Sequence, residues 1–221
     1  MNLRSVVLLS SGLDSTVNLY AALRESEVAL ALTFNYGQRA AQKEISQARK
    51  ICELLKVRHQ VVELPFFRDF TRTSLVNREA AVPVKSEVKI DDQNQSLQTA
   101  ERVWVPNRNG IFLNVAAAYA EGLKADFLVP GFNLEEAQTF PDNSEAYLKK
   151  AEEAFQYSTA HQLRTKCYTI RMTKSQIFKL GLELNVNFDL VWPCYLDGEE
   201  ICGQCESCQR FLKAKNEAKM G

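Results

Sequence analysis

Val6-Val7-Leu8-Leu9-Ser10-Ser11-Gly12-Leu13-Asp14-Ser15-Thr16 decides the fold. The first four residues are a continuous apolar run, the pattern of a strand buried on both faces. The hydroxyl-rich stretch follows directly, and then Val17, Leu19, Tyr20, Ala21 and Leu23 recur at helical spacing. A strand that turns straight into a helix leaves the first helical N–H groups free, and the helix dipole favours an anion there. Gly12 allows close backbone approach, and Ser10, Ser11, Ser15 and Thr16 add hydroxyl donors. The loop therefore suits a phosphate. A serine-rich N-cap, with Asp14 in the first turn for the dipole, accounts for the same residues without a ligand. Neither a Walker A Gly-Lys-Ser/Thr nor a G-x-G-x-x-G fingerprint is present.

Outward from this loop the elements alternate. Val28 to Phe34 is a second apolar run, ending in the turn-like Asn35-Tyr36-Gly37. Ala40 to Leu55 reads as an amphipathic helix, with Ala41, Ile45, Ala48, Ile51 and Leu55 on one face. Gln60 to Leu64 is a third strand. This β-α-β-α-β order predicts an α/β, Rossmann-like parallel sheet with helices on both faces and right-handed crossovers. From Phe66 to about Val105 the pattern lapses into a polar stretch with Asp91-Asp92-Gln93-Asn94-Gln95, which reads as a structureless lid. Gly110 to Leu123 is a strongly apolar helix, Asp126 to Val129 a fourth strand, and Ser144 to His161 a long helix. Thr169-Ile170-Arg171 reads as a fifth strand, and Thr173 to Leu180 as a short helix with Gly181 as its C-cap.

Composition narrows the class. The chain has 221 residues, 46% hydrophobic, with 27 basic and 27 acidic side chains and a formal net charge of zero. This balance argues against a bulk electrostatic footprint for nucleic acid or an anionic membrane. No apolar run approaches the roughly 18 residues that span a bilayer. Met1 to Ser5 and the four apolar residues after them are too short for a secretory signal. The expectation is a cytoplasmic protein, where thiols stay reduced. Cys194, Cys202, Cys205 and Cys208 are spaced C-x7-C-x2-C-x2-C. Four thiolates suit a structural tetrahedral zinc with no open position; an iron–sulfur cluster uses the same donors. Cys52 and Cys167 read as buried inert thiols, and His59 and His161 as neither ligands nor catalysts. The expected organisation is a nucleotide-binding domain over 1–185 and a zinc-binding segment over 186–221 packed on it.

Ser10-Ser11-Gly12-Leu13-Asp14-Ser15-Thr16 resembles the S-G-G-x-D-S-T loop of the PP-loop ATP pyrophosphatases. Together with Cys194…Cys202-Gly203-Gln204-Cys205-Glu206-Ser207-Cys208 it resembles the 7-cyano-7-deazaguanine synthase (QueC) family. Thr33-Phe34-Asn35-Tyr36-Gly37-Gln38-Arg39, Val105-Pro106-Asn107-Arg108-Asn109, Gly131, Pro141-Asp142, Thr173-Lys174 and Cys194-Tyr195 match in order. The resemblance implies ATP contacts along Leu8, Leu9, Ser10, Ser11, Gly12, Leu13, Asp14, Ser15, Thr16, Val17 and Asn18, with Phe34, Tyr36, Arg39 and Gly131. It implies conversion of a 7-deazapurine carboxylic acid, 7-carboxy-7-deazaguanine, to the nitrile with ATP, Mg²⁺ and ammonia, and a homodimer. Asp14 is the candidate for steering the metal, and Arg108 and Lys174 for phosphate or carboxylate contacts; an N-cap and solvated surface charges are the plainer alternatives.

The chain departs from the family pattern in places. Ser11 stands where the family has Gly, at a strain of roughly 1–2 kcal/mol if the position needs a positive φ. Ala40 replaces the His after Arg39, Asn143-Ser144 replaces Cys-Arg after Pro141-Asp142, and Asn107 replaces a Gly. These changes leave two other readings open. One is a diverged member that passes the adenylated acid to another acceptor or stops at the amide. The other is a zinc-ribbon module binding nucleic acid through Lys213, Lys215 and Lys219, against which Glu199, Glu200 and Glu206 weigh.

Overall fold

Side-chain alternation along the first strand sorts the core into two layers. A computed structural model describes residues 3–90 and 92–220. In it β1 (Arg4–Leu8) lies between β2 (Glu27–Asn35) and β4 (Phe127–Val129), with β3 (His59–Glu63) outside β2 and β5 (Arg164–Thr165) outside β4. All four pairings are parallel, with Leu8 opposite Leu32 and Val7 opposite Val129. Val6, Leu30, Leu32 and Leu128 point to one face and pack on Leu113, Ala116 and Ala120 of α5 (Arg108–Gly122) and on Leu148 and Phe155 of α6 (Glu145–Ser158). Val7, Leu9, Ala31 and Val129 point to the other, against Leu19 and Ala22 of α1 (Leu13–Glu25) and Ala48 and Ile51 of α2 (Ala41–Leu55). The sheet is thus covered on both faces, as strands without polar alternation require.

The stretch from 66 to 105 is built, not structureless. It holds α3 (Phe67–Phe70), a 3₁₀ turn at Lys85–Glu87 and α4 (Gln93–Val103). Phe67, Leu75, Val76, Val103 and Val105 join the main core. These apolar residues are scattered without a helical or strand period, so the sequence pattern does not announce them. Met1, Asn2, Asp91 and Gly221 lie outside the described residues, and with them the start of the N-terminal stretch read as too short for a secretory signal and of the Asp91–Gln95 run.

Two further expectations are corrected. The fifth strand is Arg164–Thr165, not Thr169–Arg171. Thr169 instead anchors a turn: its hydroxyl donates to the Phe132 carbonyl at 2.6 Å and lies 2.6 Å from Asn18 Nδ2. Gly181 is inside α7 (Lys174–Glu183), not its C-cap. A Cβ there would meet Phe188 at 2.8 Å, so close packing explains the glycine. The left-handed residue that follows the helix is Asn185, with φ 59°.

The C-terminal α8 (Glu206–Met220) packs on α7 and α1 through Phe211, Ala214, Ile177, Phe178, Leu13 and Val17. A backbone bridge between Val84 and Cys205 ties the cysteine segment to the 66–105 stretch. No described helix is long and apolar enough to cross a membrane. Ile177 is fully buried where α1, α7 and α8 meet. Ile177→Ala is expected to lower unfolding stability by about 2–5 kcal/mol, read as a fall in urea midpoint at unchanged m-value.

Candidate nucleotide and substrate site

The carboxyl ends of β1, β2 and β4 open into one cavity of about 220 Å³. It lies where the strand order reverses on either side of β1, the crevice at which open parallel sheets take ligands. Gly12 caps α1 with no side-chain hydrogen bond, so its first-turn N–H groups have no side-chain acceptor at the cap. Ser15 Oγ lies 3.1 Å from Ser10 Oγ, accepts from the Ser10 N–H at 3.2 Å and donates to the Gly12 carbonyl at 3.2 Å. The loop is therefore shaped by its own hydroxyls. Ser11 has φ 58°, the strained left-handed conformation expected of a glycine position. Its carbonyl accepts from the Trp192 N–H at 2.8 Å, which fixes the turn from behind. A Cβ on Gly131 would stand 2.6 Å from Ser15 N, so only glycine lets the end of β4 lie this close to the loop.

Three buried polar atoms of this loop have no hydrogen-bond partner among the described residues: Ser11 Oγ, Asp14 Oδ1 and Thr16 Oγ1. Unpaired buried groups are costly, and their clustering suits a site that a polar ligand or ion completes.

Behind the loop sits a buried charge network. Lys174, 7% exposed, donates from Nζ to Asp14 and, at 2.7 Å, to Glu136 Oε1. Asn133 Nδ2 donates to Asp14 Oδ2 at 3.2 Å, and the Lys174 N–H donates to Glu135 Oε1 at 2.6 Å. Arg210 joins Glu135 at 3.3 Å and Glu206 at 2.9 Å. Burial works to lower the Lys174 pKa, but the Asp14 and Glu136 charges outweigh it and hold the ammonium above its ordinary range. Burial pushes Asp14 up to about 6 against the pull of Lys174. Burial pushes Glu136 up, but the charge and hydrogen bond of Lys174, with Arg210 and Asn133, together hold it low.

The far end of the cavity is aromatic and amphoteric. Phe34 stacks on Phe112 with ring centroids 4.2 Å apart, and Tyr36 tilts against Phe112 at 5.4 Å. The Arg108 guanidinium donates to Tyr36 OH at 3.4 Å and lies 5.9 Å from the Tyr36 ring. Gln38, Glu44, Asn109, Asn143 and the Trp192-Pro193-Cys194-Tyr195 wall complete it. Burial pushes the Glu44 carboxyl up to about 7.

Of the residues expected at the nucleotide, Leu8, Leu9, Ser10, Gly12, Leu13, Asp14, Ser15, Phe34, Tyr36 and Gly131 line this cavity, as do Arg108 and Lys174. Ser11 and Thr16 stand buried in the loop behind it. Val17 and Asn18 do not reach it. Val17 is core, and Asn18 Nδ2 donates to the Asp14 carbonyl at 2.8 Å while Oδ1 accepts from the Tyr168 N–H at 2.8 Å. Arg39 is also committed elsewhere: its guanidinium donates to the carbonyls of Ser74, Asn77, Arg78 and Ala80 at 2.6–3.0 Å, fastening the 66–105 stretch to the sheet. Lys174 and Arg108 are not solvated surface charges; the first is buried and paired, the second faces the cavity. Sequence reasoning missed Glu136, Asn133, Gln38 and Glu44. The available signal was their position, just past the carboxyl ends of β4 and β2.

The departures from the family pattern find local explanations. Asn107 takes the left-handed conformation, φ 50°, that a glycine would. Ser144 caps α6 by accepting from the Tyr147 N–H at 3.1 Å. Asn143 lines the cavity and donates to Asp142 Oδ1 at 3.2 Å. Ala40 packs against Trp192, Cys194, Cys205 and Cys208.

The four cysteines converge as their spacing predicts, with all four sulfurs within 4.8 Å of one another. Cys194 Sγ accepts from the Leu196 and Cys202 N–H groups at 3.4 Å, and Cys202 Sγ from the Cys205 N–H at 3.3 Å. Such donors stabilise thiolates, and the set fits a tetrahedral ion such as zinc. Cys52 is buried and Cys167 half-buried, each with burial pushing its thiol up. His59 Nε2 lies 2.8 Å from Thr33 Oγ1, and His161 Nε2 2.8 Å from the Ala125 carbonyl.

The sheet order, the uncapped loop and the cavity at the switch point define a nucleotide-binding fold of the PP-loop synthetase type. Solved structures agree on the fold. The NMN synthetase of Francisella tularensis superposes with a TM-score of 0.50 at 14% identity, over 100% of this chain and 88% of that one. A 4-thiouridine synthetase in complex with RNA and ATP gives 0.51 at 18% identity, over 98% of this chain and 50% of that one. The family model described as "Queuosine biosynthesis protein QueC" matches residues 4–219, and the chain belongs to that family. It is 55% identical over 214 residues to the 7-cyano-7-deazaguanine synthase of Bdellovibrio bacteriovorus, covering 96% of this chain and 93% of that one. It is 46% identical over 216 residues to that of Pelotomaculum thermopropionicum, covering 98% of each.

Asp14 and Glu44 both bind their proton more tightly folded than unfolded, at about 6 and about 7 against ordinary values of 3.8 and 4.5. Each therefore costs stability as pH rises from its unfolded value through its folded one. Glu44→Gln cannot ionise. Relative to that variant, the wild type is expected to lose unfolding free energy between pH 5 and 7.5, measured by urea denaturation without ligands. A difference that stays constant or grows in favour of the wild type contradicts this.

Proposed function

We propose that the chain converts 7-carboxy-7-deazaguanine, ammonia and ATP to 7-cyano-7-deazaguanine, a step of queuosine biosynthesis. One observation carries this: a single cavity runs from an uncapped phosphate loop to the guanidinium of Arg108, which forms no ion pair among the described residues, in a chain 55% identical to an enzyme named for the nitrile product. Arg108 suits the carboxylate of the acid, and the N–H groups at the start of α1 suit the polyphosphate of ATP.

The chemistry that follows is adenylation. A carboxylate oxygen attacks the α-phosphorus and pyrophosphate leaves, with AMP joined to the acid. Ammonia displaces AMP to give the amide. The amide oxygen is adenylated by a second ATP, and loss of AMP with the nitrogen's protons leaves the nitrile. The loop N–H groups and Lys174 stabilise charge on the departing pyrophosphate, and the positioning of acid against ATP supplies the rest. Asp14 Oδ1, buried and unpartnered, would hold Mg²⁺, which neutralises phosphate charge when bound. Cys194, Cys202, Cys205 and Cys208 would hold a structural zinc that fixes the segment 186–221. In this reading the protein acts in the cytoplasm as a homodimer on small molecules, with no membrane or nucleic-acid partner.

Incubation with the acid, ATP, Mg²⁺ and ammonia should give the nitrile and AMP, identified by mass spectrometry. Amide alone, or AMP with another product, overturns the assignment. Metal analysis should return about one zinc per chain, and Cys202→Ser should lose it and unfold at several degrees lower temperature. Iron with visible absorbance overturns the zinc assignment.

A further inference from the structure

Glu44 takes no part in the chemistry above and stands apart from the Lys174 network. It lies in the first turn of α2 and lines the cavity beside Tyr36 and Gln38. Its Oε2 accepts from Gln38 Nε2 at 2.9 Å. Gln38 is 3% exposed and is itself locked, its Oε1 accepting from the Tyr36 N–H at 3.0 Å and its Nε2 donating to the Phe34 carbonyl at 2.9 Å. The carboxylate is thus held in one orientation, and its Oε1 makes no hydrogen bond among the described residues.

Arg108 lines the same cavity and its charge bears on Glu44, yet the two form no ion pair. Opposite charges in a shared low-dielectric site ordinarily pair, because a lone buried charge is costly. Here each is held back by neutral partners, Gln38 on one side and the Tyr36 hydroxyl and Asn109 on the other. The rings of Tyr36 and Phe112 line the same cavity, each about 6 Å from the Arg108 guanidinium. The complement of this arrangement is a flat heterocycle with adjacent N–H donors on one edge and a carboxylate on the other.

We propose that Glu44 accepts the ring N–H and the exocyclic amine of the 7-deazaguanine ring, while Arg108 faces its carboxylate, so that Glu44 selects rings bearing a 2-amino group. The assignment presupposes the function proposed above. A carboxylate offers two parallel acceptors to two adjacent N–H donors, a match that neutral side chains do not reproduce. Adenine offers one donor beside a bare ring nitrogen, so the same group keeps the base of ATP out of the acid's end of the cavity.

The test compares kcat/KM for 7-carboxy-7-deazaguanine and for its analogue lacking the 2-amino group, in the wild type and in Glu44→Gln. The wild type should prefer the amino substrate by about 10- to 100-fold, the range of a hydrogen bond to a charged group. Glu44→Gln should narrow the preference to within about threefold, through loss on the amino substrate, with KM for ATP and metal content unchanged. A wild type that uses both acids equally overturns the proposal without recourse to any variant. So does a variant that loses activity on both acids in equal proportion, which is the signature of a merely structural Glu44. A wild type that makes nitrile from neither acid overturns the proposed function itself.

Discussion

The ammonium of Lys174 is shared by two carboxylates that reach it from different parts of the chain. Asp14 comes from the start of α1, Glu136 from the segment after β4, and Lys174 itself from the start of α7. A buried cation is stable only while its partners stay in place, and removing one partner of such a pair costs about 3–5 kcal/mol. The three segments are therefore fixed relative to one another. That fixes the phosphate loop, because Asp14 belongs to it, and the end of β4, because Gly131 must lie against Ser15.

A loop held in this way has its donors in position before a ligand arrives. Ser11 stays in a strained conformation only because the Trp192 N–H holds its carbonyl and the core closes around it. Pre-set donors stabilise charge without reorganising, which is where adenylation chemistry draws its rate. The same wall joins the phosphate loop to the cysteine cluster, since Trp192 and Cys194 belong to one segment that lines the cavity. The cluster is packed into the body of the protein: Ala40 at the start of α2 and Val82 of the 66–105 stretch press against it.

Much of this was legible in the sequence, for identifiable reasons. β1 and its loop are local, an apolar run followed by hydroxyls and a glycine. The cysteines are local too, and their spacing carries the ligand geometry. What was hidden depends on contacts between distant residues. Asp14 and Lys174 are 160 residues apart, and no spacing reports their pairing. Arg39 sits at a strand end among nucleotide candidates, yet four backbone carbonyls claim it. Gly181 looked like a helix stop because a capping glycine and a close-packing glycine read alike. β5 has two residues, too few to show any period. Glu44 early in an amphipathic helix passes for a dipole partner, and only the cavity shows that its carboxylate faces inward.

The central claim is that the loop after β1 and the Arg108 end of one cavity bring the acid's carboxylate to the α-phosphorus of ATP. Exchange of labelled pyrophosphate into ATP tests it most directly, with the acid present and ammonia withheld. The account predicts exchange that requires 7-carboxy-7-deazaguanine and is lost in Arg108→Met and Lys174→Met. ADP as the nucleotide product, or exchange that proceeds equally without the acid, would contradict it.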